Sequence, residues 1–132
     1  MELFLVGEKI KVFQHEGLQS VYAGWTHSIA LTKMGEVFSW GRNSYGQLGS
    51  ERELSYKPEK IEALDNINQI SVGSEHNLAV TKDSGLYSWG WNEHGSCGTG
   101  DKMDVLKPTR ILENKKVKLA FACTGTSFAI VE

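Results

Sequence analysis

Three sets of side chains in this sequence have types and spacings that chemistry uses. His94-x-x-Cys97 offers two possible metal ligands, and Gly95-x-x-x-x-Gly100-Asp101-Lys102 has the outer glycine spacing of a phosphate-binding loop. His27 and His76 occupy matching places in two similar segments, and each imidazole can anchor a loop or meet a partner.

The first two sets lack the rest of their machinery. A structural zinc site needs about four ligands, and no second ligand pair stands at suitable spacing from His94 and Cys97. In the phosphate-loop outline Asp101 stands where lysine should follow, and no apolar strand leads in and no helical pattern leads out. Nucleophilic triads and paired carboxylates cannot be argued from spacing. The expectation is a chain with no metal, no cofactor and no bond-making chemistry of its own.

Bulk properties point the same way. Fourteen basic and sixteen acidic residues give a net charge of -2 without long runs of one sign, which disfavours nucleic acid or an anionic membrane as a partner. Leu3-Phe-Leu-Val6 is too short for a signal peptide or a spanning helix. The chain therefore reads as cytoplasmic, nuclear or both, with Cys97 and Cys123 as reduced thiols.

The elements that carry these residues are repeated. Residues 21–49 superpose on 70–98 at a shift of 49 without a gap, and eleven of 29 positions are identical. They are Gly24/Gly73, His27/His76, Ala30/Ala79, Thr32/Thr81, Lys33/Lys82, Ser39/Ser88, Trp40/Trp89, Gly41/Gly90, Asn43/Asn92, Gly46/Gly95 and Gly49/Gly98. Chance would give roughly two, so the segment is duplicated. Lys57-Pro58-x-x-Ile61 recurs as Lys107-Pro108-x-x-Ile111, a third copy begins at Ala120, and Glu8-Lys9-Ile10 echoes the end of an earlier one.

Within each copy, short alternating runs such as His27-Ser-Ile-Ala-Leu-Thr32 and β-branched or aromatic runs such as Glu36-Val-Phe-Ser-Trp40 predict strands. Lys33-Met-Gly-Glu36 and Lys82-Asp-Ser-Gly85 predict hairpin turns, although the glycine has moved by one place. Pro58 and Pro108 are expected to open later strands or mark an edge. About four strands per copy describe a propeller blade, and Ala30 and Ala79 would allow the next blade to approach closely. The expectation is an all-β, partial and open β-propeller arc: 1–22 as the end of a preceding blade, 23–71 and 72–120 as two complete four-stranded blades, and 121–132 as a strand of the next.

Gly-x-x-His-x-x-Ala-Leu/Val-Thr-Lys followed by Phe/Tyr-Ser-Trp-Gly-x-Asn-x-x-Gly-x-x-Gly resembles the repeat of the regulator of chromosome condensation family. The stretch Trp89-Gly-Trp-Asn-Glu-His-Gly-Ser-Cys-Gly98 is most similar to a late repeat of its secretion-regulating exchange factors and the fungal killer-toxin-insensitivity propellers. The resemblance implies a seven-bladed ring of which this chain is under half, the remaining blades coming from a longer protein or from self-association. The third copy departs from the motif, with Cys123 in place of the glycine and Thr126 in place of the histidine.

For function, the resemblance implies a protein-binding propeller, with guanine-nucleotide exchange on a small GTPase as the leading role. The alternatives are a scaffold for a small metal protein of tRNA wobble modification and diphthamide synthesis, or a chromatin-associated propeller. His27 and His76 are read two ways, as stabilisers of each blade or as partner contacts. Trp40, Trp89 and the repeated glycines and asparagines are assigned to the scaffold. Specificity is expected from side chains the two copies do not share, namely Trp25, Glu75, Arg42, Tyr45, Trp91, Glu93 and His94.

Overall fold

A computed structural model describes residues 3–5, 8–10 and 17–132. Of the segment 1–22, positions 1, 2, 6, 7 and 11–16 lie outside the described residues. The strands are β1 (Leu3–Leu5), β2 (Glu8–Ile10), β3 (Leu18–Ala23), β4 (His27–Thr32), β5 (Val37–Arg42), β6 (Leu54–Lys60), β7 (Ile67–Val72), β8 (His76–Thr81), β9 (Leu86–Gly90), β10 (Val105–Ile111), β11 (Val117–Ala122) and β12 (Ser127–Val131). No helix occurs among the described residues, so none is long and apolar enough to cross a membrane.

The strands form two antiparallel four-stranded meanders, β3-β4-β5-β6 and β7-β8-β9-β10, followed by the pair β11-β12 and preceded by the pair β1-β2. This is the expected open arc. Each sheet begins five residues ahead of the sequence window, at Leu18 rather than 23 and at Ile67 rather than 72. The reason is the register: β3 pairs with β4 from Leu18↔Thr32 to Ala23↔Ser28, so the residues before Gly24 form the edge strand that opens the first sheet. The Gly-x-x-His motif lies at the β3–β4 turn, inside the sheet and not at its start.

Alternation along the strands divides the apolar residues between interfaces. Ile29, Leu31 and Val37 of the first sheet meet Ile70, Ala79 and Trp89 of the second, with Ile61, Leu64 and Ile67 closing that core. The opposite face of the second sheet, Leu78, Val80 and Leu86, packs on Val117 and Ala120 of β11. Ala79 thus faces the preceding sheet rather than the following one, and Ala30 lies with Leu18, Phe38 and Trp40 on the corresponding face of the first sheet. Burying each Leu, Ile or Val of this core contributes about 1.5–3 kcal/mol. The far face of β11-β12 has no such cover among the described residues: Leu119, Phe121, Phe128 and Ile130 are all exposed.

Pro58 and Pro108 lie within β6 and β10 rather than at their starts. Both strands are sheet edges with a register shift near the proline, where a missing amide donor costs no ladder bond. The β4–β5 and β8–β9 hairpins need a left-handed residue at equivalent places. Gly35 supplies it at φ 86°, whereas in the second copy, where the glycine has moved on to position 85, Ser84 itself adopts φ 69°.

Candidate interaction face

In a four-stranded meander the first and third connections emerge at the same end. The β3–β4 and β7–β8 turns therefore sit beside the long β5–β6 and β9–β10 loops, and the β11–β12 turn joins them. The repeated residues build this end, each by a specific contact.

A Cβ on Gly24 would stand 2.6 Å from Nδ1 of His27, and one on Gly73 would stand 2.6 Å from Nδ1 of His76. The glycine three residues ahead is therefore what lets each imidazole fold back over its own turn. Gly41 and Gly90, both at φ 109°, pass close to the backbone of the same turns, where a Cβ would come within 2.7 Å of His27 Cα and 2.8 Å of His76 Cα respectively. Asn43 accepts from the Leu48 amide at 2.9 Å and donates to the carbonyls of Ser50 and Arg52. Asn92 accepts from the Cys97 amide at 2.8 Å and donates to the Met103 carbonyl at 2.9 Å. One side chain thus replaces the hydrogen bonds that each long loop cannot make to itself.

The histidines join sheets. His27 Nε2 lies 2.7 Å from Asn77 Oδ1, and His76 Nε2 lies 2.9 Å from Ser127 Oγ. Each imidazole thereby reaches the polar residue that follows the next copy's histidine position. Asn77 donates to the Gln47 carbonyl, so its oxygen is the free acceptor and His27 carries its proton on Nε2. Burial lowers the His27 pKa against the opposing influence of the Asn77 bond and the Glu75 charge. The His76 pKa is lowered to about 4, chiefly by burial and then by the charge of His27. Both rings are neutral at neutral pH and lie buried where they bond across the sheets.

Around His27 lies a polar cluster that spans the two sheets. The Glu75 carboxylate accepts from Thr26 Oγ1 at 2.7 Å and from Gln47 Nε2 at 2.9 Å, and the Gln47 carbonyl accepts from Trp89 Nε1 at 3.1 Å. Gln47, Thr26 and Asn77 were not among the sequence candidates. Asn77 had a signal, because Ser28, Asn77 and Ser127 place a small polar residue after every histidine position. Gln47 had none, since the second copy carries Ser96 there.

Above this cluster is a cleft of about 320 Å³ lined by Trp25, Tyr45, Ser74, Glu75, Trp91, His94, Thr124 and Gly125. Five of the unshared candidates converge on it. Trp91 lies 6.3 Å from the Tyr45 ring in a tilted arrangement and 5.0 Å from the His94 ring edge-on. Trp25 is 76% exposed at the rim. Glu75 is not the exposed loop residue expected, because the interblade bonds bury it at the cleft wall. Arg42 and Glu93 are exposed and do not line the cleft.

His94 and Cys97 do not act together. His94 is exposed against Trp91, whereas Cys97 is fully buried with its Sγ 3.5 Å from the Trp91 carbonyl, and burial together with Asp104 and Asp101 pushes the thiol up to about 12. The glycines from 95 to 100 belong to the β9–β10 loop held by Asn92.

Comparison with known proteins agrees with this architecture. The family description "Regulator of chromosome condensation (RCC1) repeat" matches residues 34–80 and 83–131, and a second description of the same repeat matches 19–47 and 67–96. The secretion-regulating guanine nucleotide exchange factor of Mus musculus is 46% identical over 50 residues, 38% of this chain and 11% of that protein. The ultraviolet-B receptor UVR8 of Arabidopsis thaliana is 40% identical over 119 residues, 88% of this chain and 27% of the receptor. Among solved structures, Prp20p from Saccharomyces cerevisiae, described with its binding properties to Gsp1p and histones, superposes with a TM-score of 0.83 at 23% identity, over 94% of this chain and 32% of its own. The chain spans a third or less of each of these proteins.

Proposed function

The chain belongs to the regulator of chromosome condensation (RCC1) repeat family, and from that membership we propose that its loop-bearing end is a protein-binding face of a guanine-nucleotide exchange factor for a small GTPase. The observation that carries the reading is the convergence of Trp25, Tyr45, Trp91 and His94 on one cleft. The scaffold has no use for these side chains, since the equivalent positions in the other copy hold different residues. Exposed aromatic side chains around a concavity are the composition of interface hot spots.

Exchange requires no bond to be made or broken by the propeller. A face that binds the nucleotide-free GTPase more tightly than the nucleotide-bound form shifts the equilibrium toward release by that difference in affinity. The exchange factor of Mus musculus and the binding of Prp20p to Gsp1p support this reading. A scaffold for a small metal protein has no counterpart in the three relatives described above. The test is release of labelled GDP from a panel of small GTPases with and without the chain. Faster release from one member is expected, and unchanged release across the panel overturns the exchange role.

A further inference from the structure

The cleft has an electrostatic feature that an aromatic hot spot does not require. Glu75 lines it with a side chain only 10% exposed, and the carboxylate is held by neutral groups alone, the Thr26 hydroxyl and the Gln47 amide. The one basic side chain within ion-pair distance among the described residues is His27, whose Nδ1 lies 3.6 Å away. That ring commits its Nε2 proton to Asn77, and Nδ1 has no hydrogen-bond partner. Burial keeps the ring neutral. A carboxylate held this deep is ordinarily matched by a cation, because neutral donors offset only part of the cost of removing its charge from water.

The cleft offers what a flat cation needs. Trp25, Tyr45 and Trp91 line it together with Glu75, and aromatic faces carry the negative end of the ring quadrupole. Gly125 keeps it open next to Trp91, since a Cβ there would still be 3.9 Å from the indole. An ammonium is a compact, strongly hydrated charge, whereas a guanidinium is planar, weakly hydrated, stacks on aromatic faces and donates in a fork to carboxylates. A quaternary ammonium would stack but could donate nothing to Glu75.

The geometry points to an arginine side chain of a partner protein as the occupant: its guanidinium stacks in the Trp25–Tyr45–Trp91 cleft and supplies Glu75 with the charge that no described residue supplies. This rests on the interface reading of the same face and adds the chemistry of what enters it. No covalent step is involved.

The test uses the full chain and four capped tripeptides, Gly-X-Gly, with X arginine, lysine, trimethyl-lysine or citrulline, the last being the uncharged isostere of arginine. Binding is read from the indole N–H resonances and tryptophan fluorescence. Saturable binding of the arginine peptide is expected, with the citrulline peptide weaker by about tenfold, the worth of one partly desolvated cation–π contact. Glu75→Gln is expected to weaken the arginine peptide by a similar factor. Trp25→Leu, at an exposed position that leaves the fold intact, is a second variant expected to weaken it too. Equal binding of arginine and citrulline, tighter binding of trimethyl-lysine than of arginine, or no saturation by a chain with intact dispersion in its amide spectrum would each overturn the proposal. Capture of a GTPase without discrimination between the peptides would leave the interface reading standing and remove the arginine. Arginine binding without GDP release would do the reverse.

Discussion

Gly24 and His27 share one volume: a Cβ on the glycine would lie 2.6 Å from the imidazole Nδ1 and 2.8 Å from the Ser74 carbonyl oxygen of the next sheet. The spacing Gly-x-x-His is thus the consequence of a ring folded over its own turn while another strand's carbonyl closes the other side. The third copy replaces both residues together, by Cys123 and Thr126. Without a ring at 126, half of what forbids a side chain at 123 is gone.

Gly24→Ala is therefore expected to destabilise the chain by about 1–3 kcal/mol through overpacking, measured as a shift in the urea midpoint at unchanged slope. The double variant Gly24→Ala, His27→Ser should cost less than the sum of its parts, because removing the ring relieves part of the overlap while the carbonyl remains. Strict additivity would show that ring and glycine do not compete for the same space.

Ser84→Gly should stabilise. Ser84 holds φ 69°, a left-handed conformation that costs an L-residue with a Cβ about 1–2 kcal/mol, part of which glycine returns as lost chain entropy. A net gain below about 1 kcal/mol is expected, seen as a rise of a few degrees in Tm. The reverse change, Gly35→Ser, should destabilise by more, since its Cβ would also stand 3.0 Å from the backbone N and O of Ile67. A lower Tm for Ser84→Gly would contradict the strain.

The interblade histidines make stability depend on acid. His76 titrates near 4 in the folded chain, against an ordinary value of 6.5, because burial and the His27 charge oppose its protonation. The unfolded chain takes up the proton first as pH falls. The contribution is thus fully present above pH 6.5 and is lost progressively down to about pH 4, amounting to about 3 kcal/mol at most. Urea unfolding at pH 7.5 and pH 5 should show the fall, and His76→Gln should flatten it while leaving the smaller part due to His27. A variant with an undiminished slope would place the dependence elsewhere.

The blade and its scaffold residues were legible because each does the same job twice. Trp40 and Trp89, Asn43 and Asn92, and Gly41 and Gly90 are identical in the two copies because identical backbones require them. The seam between sheets was not legible in that way. Thr26, Gln47 and Glu75 are 21 to 49 residues apart and come from positions whose counterparts differ, so no pattern of identity marks them. The unshared side chains could be picked out by their difference, yet difference carries no distance. Only the meander topology shows that Trp25, Tyr45, Trp91 and His94 meet while Arg42 and Glu93 do not.

The tryptophans allow binding and folding to be separated. Trp89 is fully buried, fills the seam between the sheets and donates to the Gln47 carbonyl, so Trp89→Ala removes a large core side chain and one of the two donors, the other being Asn77, that this carbonyl accepts from. A loss of about 3–5 kcal/mol is expected, a large share of the about 5–15 kcal/mol that is the whole margin of a domain. Trp25 is 76% exposed, and its amide, not its indole, makes the bond across to Ser74. Trp25→Ala should therefore change stability by no more than about 0.5 kcal/mol while lowering affinity for a captured partner by a factor of ten or more, as hot-spot tryptophans do. Calorimetry of the two variants, beside binding of the same partner, separates the roles. Unimpaired binding by a folded Trp25→Ala chain would take the cleft rim out of the interface.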